Sequence, residues 1–111
     1  MQVTGMVTCM VTWKLKEPVS VQCYKIIFDL RIKAMNQPHY ISSKSLQDYD
    51  DPTKITVLSK WACIEGLNEW FKSPERESIV KQMKSCLKNP TKYKIYRALK
   101  LKKKLEGEFT A

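Results

Sequence analysis

The first fifteen residues alternate in polarity with a period of two, and this pattern constrains the fold more than any other in the chain. The odd positions from Val3 to Leu15 are apolar apart from Gly5, whereas the even positions are mostly Thr, Met and Lys. Such a period predicts a β-strand with one face turned to a core. Met6 and Met10 make the second face partly apolar as well. We therefore expect both faces of this strand to be covered.

The next part of the chain switches to a helical period and then back to strands. Pro18 suits the first turn of a helix, and apolar residues recur after it at helical spacing until the breaker at 36–38. Two strand-like segments, 39–47 and 54–62, flank an acidic turn at 48–52. Two strands around so short a turn predict an antiparallel hairpin.

The second half completes the order of elements. A short helix is predicted over 64–71, and a longer one starts at Ser73, which can cap it, and ends at Asn89-Pro90. Residues 91–101 alternate again and predict a last strand. The order β-α-β-β-α-β, with its second helical part broken in two, indicates a ferredoxin-like α+β fold with a four-stranded antiparallel sheet. We expect one domain over 1–101 and a lysine-rich tail over 102–111.

Composition excludes several classes of protein. The chain has 111 residues, enough for one core. Its longest apolar runs fall well short of the ~20 residues of a membrane span, and no cationic leader precedes the apolar start. The four cysteines form no CxxC pair, and one histidine accompanies them. This pattern predicts neither a zinc site nor a dense disulfide framework, but reduced, mostly buried thiols in a cytoplasmic protein.

The positive charge is concentrated near the C-terminus. Residues 1–77 carry ten Lys and Arg against nine Asp and Glu, whereas residues 78–105 carry ten basic residues and no acidic one. A basic stripe can attract nucleic acid, anionic lipid or an acidic partner. The central strands, ISSKSLQ and KITVLSKWA, lack the aromatic signature of RNA-recognition modules, so we interpret the stripe as a solvated surface and do not expect a nucleic-acid partner.

The central part of the chain resembles a known family. The run VLSKWACIEGLNEWFKSPER, preceded by QPHYISSKSLQDYDDPTKI, is similar to the antibiotic biosynthesis monooxygenase (ABM) family of dimeric α+β barrels. The shared pattern is an acidic turn, a strand ending in Trp61, a short helix carrying Trp70, and a Ser-Pro helix start. The resemblance covers about Pro38 to Tyr96. It implies a homodimer whose sheets pack face to face, with a pocket between each sheet and its helices.

The family's polar site residues are replaced by aliphatic ones. Quinone-forming members carry an Asn four residues before the strand-end Trp and a Tyr six residues after it, and these positions are Val57 and Leu67 here. The histidine of haem-degrading members falls on Val80, and a first-strand Asn falls near Val11. The resemblance therefore implies an apolar pocket, in which neither haem nor another cofactor or metal is expected. The predicted pocket-lining residues are Val57, Trp61, Leu67, Trp70 and Val80.

No catalytic residue is identified with the same specificity. His39 and Trp70 are candidates, but we interpret His39 as an exposed loop residue, both tryptophans as core residues, and Arg76 as a surface residue. Other polar side chains that could face a pocket are Ser43, Ser59, Tyr93, Tyr96 and Arg97.

Two functions remain open after this comparison. The first is a cofactor-independent monooxygenase that acts on a small aromatic or hydrophobic molecule. The alternative is a non-catalytic ligand-binding or structural dimer, which the missing polar groups favour. A haem-degrading oxygenase and an RNA-binding module are weaker alternatives.

Overall fold

The computed structural model describes residues 3–18 and 20–99, and the predicted tail at 102–111 lies outside these residues. Within them, four strands and three helices follow the predicted order. The elements are β1 (Val3–Lys14), α1 (Val21–Met35), β2 (Tyr40–Gln47), β3 (Lys54–Trp61), α2 (Ile64–Lys72), α3 (Pro74–Met83) and β4 (Lys92–Leu99).

The strands form one antiparallel sheet in the order β2-β3-β1-β4, which confirms the ferredoxin-like prediction. The predicted hairpin joins β2 to β3. Its turn is ordered by Asp48, whose side chain accepts hydrogen bonds from the backbone N–H groups of Asp50 and Asp51, each at 2.9 Å. Asp residues favour turns through this kind of local bond.

The two faces of the sheet have different surroundings. Three odd residues of β1, Val7, Cys9 and Trp13, are buried beneath the helices. The even residues lie on the outer face, where Met6 is 38% exposed and Met10 is partly exposed. No helix among the described residues packs against this second face, which we expected to be covered.

The structure corrects the start of α1. Pro18 lies outside the helix, which begins at Val21 after the N-cap residue Ser20. The Ser20 hydroxyl accepts a hydrogen bond from the backbone N–H of Cys23 at 3.4 Å. Serine at the N-cap satisfies an otherwise unpaired backbone donor, so the helix begins after Ser20 and not at the proline.

The structure also corrects the end of α3. The helix starts as predicted, with Ser73 as its cap and Pro74 at its first position, but it ends at Met83 instead of continuing to Asn89-Pro90. The following residues pair with the end of β1: the backbone N–H of Lys16 donates to the Cys86 carbonyl, and Leu87 forms a β-bridge with Leu15. This pairing uses backbone groups that a longer helix would need for itself.

The prediction of reduced thiols is wrong for two cysteines. Cys23 in α1 and Cys86 after α3 form a disulfide with a Cα–Cα distance of 6.2 Å. A separation of 63 residues leaves no spacing signal in the sequence, and only the packing of α1 against α3 brings the two residues together. Cys9 and Cys63 are free thiols. Disulfides are rare in the cytosol, which keeps most thiols reduced, and the cytoplasmic location stays a prediction.

No helix among the described residues has both the length and the apolar character needed to cross a membrane.

Candidate ligand-binding site

Two tryptophans form the centre of the core between the inner sheet face and the helices. Trp61 ends β3 and is 0% exposed, and Trp70, on α2, is 6% exposed. Their rings stack with centroids 6.3 Å apart and planes inclined by 24°. The Trp61 Nε1–H donates to the Ser59 hydroxyl at 3.0 Å, and the Tyr40 ring meets Trp61 edge-on. Both tryptophans are therefore packed on most of their surface, which agrees with their interpretation as core residues.

A cavity of about 50 Å³ lies beside this pair, between the sheet and the helices. Of the predicted pocket residues, Val57, Trp61, Leu67 and Trp70 line it, whereas Val80 does not. The inner side of α3 is formed by Ile79 and Met83, four residues apart, and Val80 packs beside them at the edge of the core. Val11, which matches the family's first-strand Asn, also lines the cavity.

Of the five other polar candidates, two line the cavity and three do not. Ser43 and Ser59 line the cavity, and the Ser43 hydroxyl lies 2.5 Å from the Tyr40 hydroxyl. Tyr93 is 61% exposed and packs against Phe71. Tyr96 and Arg97 are exposed and do not line this cavity.

His39 is exposed in the loop before β2 and is not among the residues that line the cavity. Its backbone carbonyl accepts a hydrogen bond from the Ala62 N–H at 2.8 Å. The side chain lies directly against Gly66 of α2, where a Cβ atom would come within 2.4 Å of the His39 Cβ. Gly66 thus permits a close approach between the loop and the helix. This position gives His39 a packing role, and it does not bring the imidazole to a ligand.

Arg76 was predicted to lie on the surface, and the structure corrects this. It is partly buried, lines the cavity, and holds its guanidinium 4.6 Å above the Phe71 ring. Burial lowers the pKa of Arg76 from its ordinary value, because the charged form loses hydration. A sequence signal existed: positions 76, 79 and 83 follow the spacing of one helical face.

Cys9 contributes a thiol to the cavity wall. The side chain is 1% exposed, and burial raises the pKa of Cys9 to about 11, although the Arg76 charge acts in the opposite direction. The group is a neutral thiol at pH 7, so it packs as an apolar side chain and supplies no thiolate nucleophile.

A larger groove of about 690 Å³ opens on the surface between α1 and the edge strand β2. Its walls include the exposed apolar side chains of Tyr24, Phe28 and Leu46. The groove and the cavity share lining residues, so they adjoin each other beneath α1. The shared residues are Ile27, Arg31 and Ser45.

The adjoining spaces suit binding more clearly than they suit acid–base chemistry. Their lining contains apolar and aromatic side chains with a few hydroxyl groups and cations. Neither a carboxylate nor an imidazole is among the described lining residues, and no group of three metal-ligating side chains occurs in the described part of the chain. A proton removed from a ligand would need an acceptor other than these groups.

Comparison with known proteins supports the fold. No protein-family model matches the chain, and no curated protein matches it. Solved structures do match. A conserved protein from Methanosarcina mazei Go1 shares 20% identity at a TM-score of 0.75, over 83% of this chain and 91% of that one. A candidate antibiotic biosynthesis monooxygenase from Nitrosomonas europaea shares 16% identity at a TM-score of 0.79, over 89% and 94%.

A third match is SnoaB, a cofactor-independent oxygenase from Streptomyces nogalater. It shares 10% identity at a TM-score of 0.78, over 88% of this chain and 97% of that one. At identities this low, the structural likeness establishes the fold, and the activity has to be argued from the site itself. The chain therefore has the ferredoxin-like α+β fold of the antibiotic biosynthesis monooxygenases, as its resemblance to that family predicts.

Proposed function

We propose that the cavity and the adjoining groove bind a small aromatic or hydrophobic molecule. The observation that carries this proposal is an apolar groove that continues into a cavity walled by Trp61 and Trp70. Ligand sites in proteins are typically concave, mostly apolar and furnished with a few polar groups. The cavity alone is too small for a fused-ring molecule, so the ligand body lies in the groove and only one end enters the cavity.

Cofactor-independent oxygenation is the second candidate function, and the likeness to SnoaB favours it. With no carboxylate or imidazole among the described lining residues, the substrate would have to give up its proton unaided, with the protein supplying position and exclusion of water. Haem is not proposed as a cofactor, because His39 lies away from the cavity.

We also propose that the protein forms a homodimer through the outer face of the sheet. Met10 and Leu58 face each other across β1 and β3 on this side, and Met6 extends the apolar surface. Lys94 and Lys44 flank this pair in the same row of the sheet. Burial of the apolar centre favours association, whereas the like charges around it oppose it.

One experiment separates binding from catalysis. Quenching of tryptophan fluorescence reports binding of a reduced anthrone, and oxygen uptake reports its oxidation. We expect saturable quenching with an affinity in the micromolar range, as suits a ligand held mainly by apolar contacts. Trp70→Phe should weaken this binding, while Tyr49→Phe, at a fully exposed turn residue, serves as the matched control.

The two readouts distinguish the candidate functions. Quenching without uptake above the uncatalysed rate supports the binding function alone. Uptake above that rate that falls in Trp70→Phe supports oxygenation with a positioning role for the ring. Uptake that disappears in His39→Ala would contradict our placement of His39 outside the site, and absence of quenching would reject the binding proposal.

A further inference from the structure

The charges around the groove and the cavity are all of one sign. Lys25 lines the groove, Arg76 lines the cavity, and Arg31 lines both. No Asp or Glu is among the described residues that line either space. A purely apolar ligand would gain nothing from three cations at this place, and clefts lined by one sign of charge attract ligands of the opposite sign.

Arg76 is the most informative of these cations. Within residues 3–18 and 20–99 no carboxylate forms an ion pair with it, and its guanidinium donates no hydrogen bond to the described residues. One face of the guanidinium is covered by the Phe71 ring. A guanidinium carries five N–H donors, and burying a charge is unfavourable unless those donors are paired. The exposed edge of the group is therefore available to an acceptor inside the cavity.

Arg31 occupies the junction between the two spaces. One of its nitrogens, Nη2, donates to the Ser43 carbonyl at 3.2 Å, and this bond holds the side chain across α1 and β2. Because Arg76 lines only the cavity, a molecule that extends from the groove into the cavity comes near both cations.

The volumes match an elongated ligand with a small polar end. A cavity of about 50 Å³ suits a group the size of a few water molecules, such as a carboxylate. The groove, at about 690 Å³, accommodates a ring system or an alkyl chain against Tyr24, Phe28 and Leu46. The planar guanidinium fork is the side chain best matched to a carboxylate, because it can donate two parallel hydrogen bonds.

We propose that the ligand is an apolar carboxylic acid whose carboxylate enters the cavity and binds Arg76, while its apolar body lies in the groove between α1 and β2. This inference rests on the proposed binding function and adds the chemical class of the ligand.

The test compares two probes of the same shape, an anion and a neutral molecule. Calorimetric titrations at pH 7 use 2-naphthoate and its neutral amide, 2-naphthamide, with the full chain. We expect the naphthoate to bind about ten-fold or more tightly than the amide, because a charge-assisted bidentate pair forms only with the anion. Arg76→Gln should remove this preference, because it weakens binding of the naphthoate far more than binding of the amide. Lys81→Gln, on the exposed side of the same helix, is the matched control and should keep the preference.

The possible outcomes separate the inference from the proposed function. Equal affinities of the two probes for the wild type overturn the inference and leave the binding function standing. Failure of both probes to bind overturns the binding function and the inference together. Should Arg76→Gln unfold, Arg76→Lys provides the second variant: it keeps the positive charge but loses the fork that donates two parallel hydrogen bonds, so the preference should fall, and an unchanged preference would count against the proposal.

Discussion

The contact between Gly66 and His39 yields a prediction with an unusual sign. Gly66 is the third residue of α2, and replacing an interior helical glycine by alanine normally stabilises a protein by about 1 kcal/mol. Here the added Cβ would lie 2.4 Å from the His39 Cβ and 2.8 Å from its Cγ and Cδ2. We therefore expect Gly66→Ala to destabilise the fold.

The magnitude follows from which atoms collide. The His39 Cβ is attached directly to a backbone whose carbonyl accepts the hydrogen bond from Ala62 at 2.8 Å, so it cannot retreat without loosening that bond. Forcing an extra methyl group into a packed contact costs about 1–3 kcal/mol. After the helix-propensity gain is subtracted, the expected net loss is about 1 kcal/mol in the free energy of unfolding. Asn68→Ala, at an exposed position of the same helix, should stabilise by a few tenths of a kcal/mol.

A double-mutant cycle in urea, followed by tryptophan fluorescence, measures this effect. His39→Gly removes the obstructing atoms, so Gly66→Ala should become stabilising in that background, with a coupling of about 2 kcal/mol. His39→Ala keeps the Cβ at 2.4 Å and should relieve the clash only in part. A stabilising Gly66→Ala in the wild type, or a coupling below about 0.5 kcal/mol, would refute the steric argument.

Three further outcomes test other parts of the structure. Replacing both Cys23 and Cys86 by serine should lower the free energy of unfolding by about 2–4 kcal/mol, because the bridge closes a long loop of the unfolded chain; an unchanged urea midpoint would count against this. Lys14 and Thr53 lower the pKa of Asp51 to about 2 from 3.8, with the hydrogen bond from Lys14 as the largest cause. The stabilisation from this carboxylate is then fully present above pH 3.8 and is lost as the pH falls towards 2. Over this interval, the thermal midpoint of Asp51→Asn should therefore fall less steeply with pH than that of the wild type. Dimerisation, measured by light scattering, should strengthen with added salt, which screens the lysines of the outer face, and Leu58→Lys should be monomeric; a wild-type monomer at micromolar concentration would remove the dimer proposal.

The parts of the fold that were predictable depend on local signals. The alternation in β1, the acidic turn between β2 and β3, and the Ser-Pro start of α3 each act within a few residues, and each appears in the structure as expected. The end of α3 was not predictable in this way, because the competing bridge between Leu87 and Leu15 joins positions far apart in sequence. The bond between Cys23 and Cys86 was not predictable for the same reason.

The candidate site shows the same division. Trp61, Trp70, Val57 and Leu67 were predicted as lining residues through the family resemblance, and the structure places all four on the cavity wall. The groove depends on how α1 lies over the edge strand β2, which no sequence period specifies. Arg76 was misplaced because a charged residue in a first helical turn is usually solvated.

The disulfide and the sheet order together set how the chain responds to a mechanical load. Val3 pairs with Leu99, so the ends of β1 and β4 lie side by side, and a force that separates them peels the two strands apart one residue pair at a time. The bridge then stops the extension, since the 63 residue steps between Cys23 and Cys86 are shielded from tension. At roughly 3.5 Å per residue, the segment from Val3 to Leu99 would extend to about 115 Å when oxidised and about 335 Å when reduced. Single-molecule stretching should show a first unfolding event at low force and, after reduction, a roughly three-fold longer contour length. The redox state alone would then decide whether β2, β3 and α2 bear load.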